Sequence, residues 1–509
     1  MSDESGLAAL THRDAPWGEV HVLVTGLGVS GFAAADALAQ RGAKVTVVDQ
    51  GSGHPVQAER AAILSSLGVQ IRLGQAAVRQ WPVDIDPDRD IDIVVTSPGW
   101  APTTPILASA GSRHVPIWGD VELAWRMRPR HGGAPWLCIT GTNGKTTTVR
   151  LVESMLRADG LRALAVGNVG TPVLQAVLDP QPYDVIAVEL SSFQLHYSHT
   201  LSPLASTVLN LAPDHMDWHG SQQAYADAKA RIYQRTQIAC VYNVQDRRTE
   251  AMVVDAEVVP GCRAIGFTLG IPERSMVGVV DEILADRAFI AARADSAVEM
   301  ATLSDVDPSG APPPHMVANV LAAAALARAA GVSPAAVRQG VRDFQPEEHR
   351  ITDVGTHHGV RFVNDSKATN PHAAAASLAA FADVIWIAGG QLKGAEVETM
   401  VMDAAARLRG VVLLGVDRDH IAAALARHAP QVRTHQVATP ETEGMDSEQR
   451  ARAMDVAMDE VVGLAAGLAR PGDVVLLAPA AASLDMFDSY AARGRSFSAA
   501  VRRRAEGTG

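Results

Sequence analysis

With 509 residues, a formal net charge of −12, 47% hydrophobic and 20% charged residues, the chain is too long for one core and is expected to form about three globular domains. The acidic balance excludes general nucleic-acid binding, which needs clustered Lys and Arg, and no apolar run reaches the ~20 residues of a membrane span. The opening Met1-Ser2-Asp3-Glu4-Ser5 lacks the basic head and apolar stretch of a secretory leader, and Cys138, Cys240 and Cys262 are too scattered for a metal site; a reducing cytoplasm is the expected setting.

In chain order, His21 to Thr25 reads as an apolar strand, Gly26-Leu27-Gly28-Val29-Ser30-Gly31 as a turn, the stretch to about Gln40 as a helix, and Val45 to Asp49 as a returning strand. Gly26-x-Gly28-x-x-Gly31 followed by Asp49 fits a dinucleotide fingerprint, although the same glycines serve any ligand phosphate or simple strand-to-helix packing. Ile91 to Val95 is a further strand that ends at Ser97-Pro98-Gly99, and the Pro-, Gly- and Arg-rich stretch from Arg128 to Pro135 reads as a linker. Then comes the most telling segment. Strand Trp136 to Thr140 runs into Gly141-Thr142-Asn143-Gly144-Lys145-Thr146-Thr147 and a helix from Thr147 to Asp159. Backbone amides and the positive helix end suit a triphosphate, Lys145 adds a charge near the outer phosphates, and the Thr146 hydroxyl is placed for magnesium, so ATP is implied.

Tyr183 to Glu189 is an apolar strand that delivers a carboxylate where a phosphate-loop enzyme needs a second metal anchor. Asp214-His215-Met216-Asp217 follows another apolar strand. Lys229 lies on the amphipathic stretch Ser221 to Gln234 and, by itself, reads as an ordinary surface lysine. Pro-rich Asp307 to Pro314 closes an inserted loop or small sheet before a helix from His315 to Ala330. A third domain begins near Glu347, with strands at Val360 to Val363, Val384 to Ala388, Val411 to Leu414 and Val474 to Ala478. Three strand-to-helix loops there could line a ligand site: Asn364 to Asn370, Gly389-Gly390-Gln391-Leu392-Lys393, and Ala480 to Asp485. Thr439 to Gln449 reads as a solvated loop. Strands alternating with helices throughout give an α/β protein with parallel sheets.

The order of these elements resembles the Mur ligase family over nearly the whole chain. The matching residues are Gly141 to Thr147, Gly167-Asn168-Val169-Gly170, Glu189 to Leu195, His215-Met216-Asp217, Ala228 to Tyr233, His349-Arg350, Asn364 to Asn370 and Ser483-Leu484-Asp485. The resemblance implies three domains: a Rossmann-like one (1–119) that binds a UDP substrate, a central P-loop ATPase-type one (120–346), and a Rossmann-like one (347–509) that holds the amino acid. It is strongest to the branch that adds D-glutamate to UDP-N-acetylmuramoyl-L-alanine for peptidoglycan synthesis, a monomeric cytoplasmic enzyme using ATP and two Mg2+ ions. Carried over residue by residue, Lys145 and Thr146 would hold the γ-phosphate and its magnesium with Glu189. His215 and a carbamylated Lys229 would hold the second ion. Asn168, Ser191 and Gln194 would contact the muramoyl-alanine arm, and Val29, Ser30 and Gly99 the uridine diphosphate. Asn319 and Arg350 would engage adenine and phosphate, with Asp365 and Lys367 nearby. Lys393, Ser483, Leu484 and Tyr490 would bind D-glutamate. The chain departs from the family pattern at Gln50, Met316, Gln391 and Tyr490, and its segments Phe267 to Pro314 and Thr439 to Gln449 have no assigned counterpart.

Two other readings start from the same residues. A different Mur or folylpolyglutamate-type ligase would share the central domain and load another amino acid, but the third domain lacks the Asp-Asn-Pro-Arg motif that reads diaminopimelate. An NAD-dependent oxidoreductase would rest on Gly26 to Asp49 and leave the phosphate loop unexplained.

Overall fold

Apolar runs alternating with Ala-rich helical stretches become three sheets, each strand-to-helix turn falling at a carboxyl edge. The structure is a computed structural model that describes residues 7–51, 55–82, 90–168, 171–308, 312–345, 351–441 and 445–507. The chain divides into two compact units, Met1–Leu211 with Ser221–Phe344, and Ala212–Gly220 with Gln345–Gly509.

The first unit holds two sheets. One contains β1 (His21–Thr25), β2 (Lys44–Asp49), β3 (Gln70–Leu73), β4 (Ile93–Thr96) and β5 (Ile117–Gly119) in the order β3-β2-β1-β4-β5, with every pairing parallel. All five residues of β1 are buried, as expected of a central strand covered on both faces. The turn after β1 leads into the helix Val29–Ala39, close to the expected span.

The second sheet has nine strands: β6 (Trp136–Thr140), β7 (Ala163–Gly167), β8 (Val185–Glu189), β9 (Ala205–Val208), β10 (Ala239–Asn243), β11 (Arg263–Phe267), β12 (Met276–Val280), β13 (Ile283–Asp286) and β14 (Val298–Thr302). Their order is β14-β13-β12-β11-β10-β9-β6-β8-β7. Strand β12 still pairs in parallel with β11, whereas the β12–β13 and β13–β14 pairings are antiparallel, so the unassigned segment after Phe267 ends the parallel sheet in a small antiparallel extension, the small sheet that its prolines hinted at. Helices Lys145–Ala158 and Pro314–Ala329 share one core with it. Residues Ala322 to Ala327 of the latter are fully buried, since small side chains let a helix lie close to its neighbours. Gly340, on the helix Pro334–Asp343, lets that helix approach closely too: a Cβ there would stand 2.5 Å from Met155 Cα.

The second unit contains β15 (Thr352–His357), β16 (Val360–Asn364), β17 (Val384–Gly389), β18 (Leu408–Leu414), β19 (Arg433–Gln436) and β20 (Val474–Leu477), in the order β15-β16-β20-β17-β18-β19. Only the β15–β16 pair is antiparallel. The 22-residue helix Ser447–Leu468 starts inside the segment expected to be loop, because Asp446 and Gln449 form a capping box. Among the described residues no helix is long and apolar enough to cross a membrane.

Candidate active site

The glycine turn after β1 is held by its own acid. Asp49, at the end of β2, accepts hydrogen bonds from Leu27 N–H (2.7 Å), Gly51 N–H (2.8 Å) and Gln57 Nε2 (2.7 Å). Gly26 has φ +95°, and a Cβ on Gly31 would meet Gly26 O at 2.0 Å. Both glycines are therefore required by the turn itself. The carboxylate that the fingerprint would assign to a ribose is occupied by backbone amides.

The second glycine turn is built differently. Gly144 caps the helix Lys145–Ala158 at φ +85°, and a Cβ there would stand 2.3 Å from Asn319 Oδ1; Asn319 thus packs directly against the loop. The helix begins two residues earlier than Thr147 because this left-handed glycine replaces a side-chain cap. Lys145 Nζ folds back onto Gly141 O and Thr142 O, each at 2.9 Å. Asn210 clamps the loop from the end of β9: its Oδ1 accepts from Asn143 N–H (2.9 Å) and its Nδ2 donates to Asn143 O (3.1 Å). The hydroxyls of Thr142 and Tyr225 are 3.0 Å apart. Thr146 is buried in the first helical turn.

Glu189 ends β8 beside β6, with Ile139 as its register partner. It is 1% exposed. Its Oε1 accepts from Asn168 Nδ2 at 3.3 Å, while Oε2 is buried with no hydrogen-bond partner among the described residues. Lys229 is 1% exposed, not the surface lysine its helix suggested. Its Nζ donates to Gly141 O (2.9 Å) and Thr140 Oγ1 (3.1 Å), and Thr140 Oγ1 donates to Leu190 O (2.7 Å). One threonine hydroxyl therefore links Lys229 to the residue after Glu189. Lys229 also lies over the Tyr225 ring, 4.8 Å from its centroid.

Ser191 and Gln194 form a reciprocal capping box on the helix Ser192–His196. Gln194 Nε2 also reaches Asp120 Oδ2 at 3.3 Å, and Ser30 Oγ donates to the same oxygen at 3.1 Å. Val29 is exposed, Gly99 lies in the turn after β4, and Gly170 lies outside the described residues.

Within the second unit, Asp365 is buried, accepting from Ile351 N–H (3.3 Å) and from the Ser377 hydroxyl. Lys367 Nζ lies 5.4 Å from the centroid of the Tyr490 ring. Lys393 has φ +53°, Ser483 is buried and Leu484 is exposed. Arg493 ties these loops together: its Nη2 donates to Ser366 O (2.9 Å), Nε to Ser366 Oγ (3.0 Å) and Nη1 to Ala481 O (3.1 Å). Burial lowers its pKa to about 9, against the opposing influence of Asp485. Arg350 lies outside the described residues. His215 caps the short helix Met216–His219 in a left-handed conformation, with Asp214 Oδ2 3.7 Å from Nε2. Its segment, 212–220, belongs to the second unit, whereas Thr146, Glu189 and Lys229 belong to the first.

Residues 20–119 match the MurD-like N-terminal domain of Mur ligases, 139–327 the Mur ligase middle domain, and 349–481 the Mur ligase glutamate ligase domain. The chain belongs to the Mur ligase family. Similar Mur ligases include proteins named UDP-N-acetylmuramoylalanine-D-glutamate ligase from Streptomyces coelicolor (53% identity over 484 residues, 95% of this chain and 98% of that protein) and Mycolicibacterium smegmatis (45% over 504 residues, 94% and 96%). Among solved structures, UDP-N-acetylmuramate-alanine ligase from Thermotoga maritima aligns with TM-score 0.53 at 17% identity, covering 96% of this chain and all of that one. That likeness concerns the three-domain α/β fold.

For a Mur ligase, the divalent-ion site has to fit the side chains present. Among the described residues no group of three or more His, Cys, Asp or Glu is arranged to hold an ion by itself. Magnesium does not require one, since it commonly keeps several waters and binds through one or two carboxylates plus substrate phosphates. The unpartnered Glu189 Oε2 near the phosphate loop fits that demand. Reading the sequence missed Asn210, Tyr225, Asp120 and Arg493. Of these, Asp120 directly follows β5 and Asn210 lies two residues past β9.

Proposed function

We propose that this Mur ligase joins D-glutamate to the L-alanine carboxylate of UDP-N-acetylmuramoyl-L-alanine, with ATP converted to ADP and phosphate. The observation that carries the reading is the buried, half-unsatisfied Glu189 carboxylate at the strand edge next to the phosphate loop; the glutamate-ligase name shared by relatives about half identical in sequence supplies the amino acid. An amine does not displace oxide from a carboxylate, so ATP first phosphorylates the L-alanine carboxylate. The D-glutamate amine then attacks the acyl phosphate and phosphate leaves. Two anions about 4 Å apart repel by roughly 4 kcal/mol at an effective dielectric near 20, and Lys145 offsets part of this at the outer phosphates. Thr146 and Glu189 would hold Mg2+, which when bound supplies further charge neutralisation.

Domains proposed to span 1–119, 120–346 and 347–509 would give the three substrates separate seats. Val29, Ser30 and Gly99 would meet the uridine diphosphate, and Asn168, Ser191 and Gln194 the muramoyl arm. Asn319, Arg350, Asp365 and Lys367 would serve ATP, and Lys393, Ser483, Leu484 and Tyr490 the amino acid. A second Mg2+ on His215 and a carbamylated Lys229 completes the proposal. Carbamylation needs the neutral amine, and the product would keep one N–H to donate to Gly141 O or Thr140 Oγ1 and would supply an anionic metal ligand. Lys229→Ala is expected to lose nearly all turnover and to regain part of it with a short exogenous carboxylate; full activity without rescue would remove the carbamate. The enzyme works as a cytoplasmic monomer. Phosphate release with UDP-N-acetylmuramoyl-L-alanine, compared with and without D-glutamate and against other amino acids, tests the whole reading. Equal release with any amino acid, or with none, would refute it.

A further inference from the structure

Asp120 stands where the chain leaves β5, as the first residue of the helix Asp120–Arg126. Three parts of the first unit converge on its carboxylate. Ser30, in the first turn of the helix Val29–Ala39 that follows β1, donates its hydroxyl at 3.1 Å. Gln194, from the capping box after β8, donates Nε2 at 3.3 Å to Oδ2 and 3.5 Å to Oδ1. Asp120's own helix contributes Val121 N–H at 3.0 Å. No cation pairs with Asp120 among the described residues. The residue keeps some accessible surface, yet desolvation outweighs its hydrogen bonds and pushes the carboxyl pKa up. An acid held at such a desolvation disadvantage contributes little net stability, because its charge is opposed by burial rather than by a counter-ion. Nearby Glu122 makes the contrast: it is fully buried but bonded to Arg126, the His199 and Thr200 amides and the Thr200 hydroxyl.

We infer that Asp120 is a positioning residue for the UDP-linked substrate, setting the spacing between the Ser30 turn that receives its diphosphate end and the Gln194 helix that receives its peptide end. This rests on the proposed function. Fixing both grips to one carboxylate sets how far the L-alanine terminus extends from the nucleotide, and hence how well it meets the γ-phosphate. Asp120 touches none of the reacting atoms in this scheme.

Asp120→Asn keeps the shape and removes one acceptor for two donors. In steady-state phosphate-release kinetics, the KM for UDP-N-acetylmuramoyl-L-alanine is expected to rise about tenfold while the KM values for ATP and D-glutamate stay within about twofold. The thermal midpoint is expected to be unchanged or higher, an outcome that a purely structural carboxylate would not give. The Ser30→Ala change in that KM is expected to shrink in the Asp120→Asn background, since both act through one contact. An unaltered KM, a uniform loss across all three substrates, or full additivity with Ser30→Ala would overturn the role. If Asp120→Asn does not fold, Gln194→Glu, which sets a second carboxylate against Asp120, must raise the same KM selectively or the role falls. A wild-type chain that fails to bind the UDP-linked substrate would instead refute the functional reading itself.

Discussion

The two glycine turns of the first unit follow one grammar of strand, turn and helix, yet their acids live in opposite circumstances. Asp49 is saturated by Leu27 N–H, Gly51 N–H and Gln57, so it closes its turn. Glu189 leaves Oε2 buried with no hydrogen-bond partner among the described residues, a condition that a protein tolerates where an ion or substrate completes the shell. An acid whose hydrogen bonds are all made belongs to the scaffold; one left incomplete belongs to the chemistry.

Glu189→Gln should break the contrast most severely. Turnover, read by phosphate release, is expected to fall about 10²- to 10³-fold. A variant of normal activity would return Glu189 to the scaffold. Gly144→Ala comes next, since its Cβ would meet Asn319 Oδ1 at 2.3 Å from a left-handed backbone. The KM for ATP is expected to rise at least about tenfold, read by initial-rate titration of ATP. Asp49→Ala acts on the other side of the comparison and is expected to cost about 1–3 kcal/mol in urea unfolding. Unchanged stability would show that Asp49 is not the closure of its turn.

These pairs also show what was legible in the residues. The strand-glycine-helix order exposed both turns, and the Gly141 to Thr147 segment announced its phosphate chemistry because Lys145 and Thr146 have few other uses after such a turn. Which acid remained unsatisfied was not legible, since that depends on partners distant in sequence such as Asn168. Lys229 was misread from its helix alone: amphipathic spacing reports which face a residue lies on, not that Thr140 at the end of β6 and Gly141 just beyond it reach over to cover it. The antiparallel strands β12 to β14 were only hinted at, because their short runs lack a helical crossover to mark them.

A smaller effect concerns the region that flanks the antiparallel strands. Burial works to raise the Asp305 pKa, but hydrogen bonds from Arg342, Thr302 and Arg338 prevail and hold the carboxyl at about 2. A depressed carboxyl stabilises the fold above its unfolded pKa near 3.9 and loses that contribution as pH falls through the folded value. Asp305→Asn should therefore flatten the acid side of the stability profile between about pH 4 and 2. A profile identical to wild type would contradict the assignment.

The position of β6 has a consequence for how the enzyme is made. Leu137 pairs with Ala187 on one side and Ala205 on the other, so the strand bearing the phosphate loop emerges from the ribosome about 50 to 70 residues ahead of both neighbours. At translation rates of ~5–20 residues per second, that apolar strand waits about 3–10 s for its first neighbour and about 3–14 s for its second. The interval is a window in which the strand that carries the phosphate loop is exposed without the neighbours that later cover it.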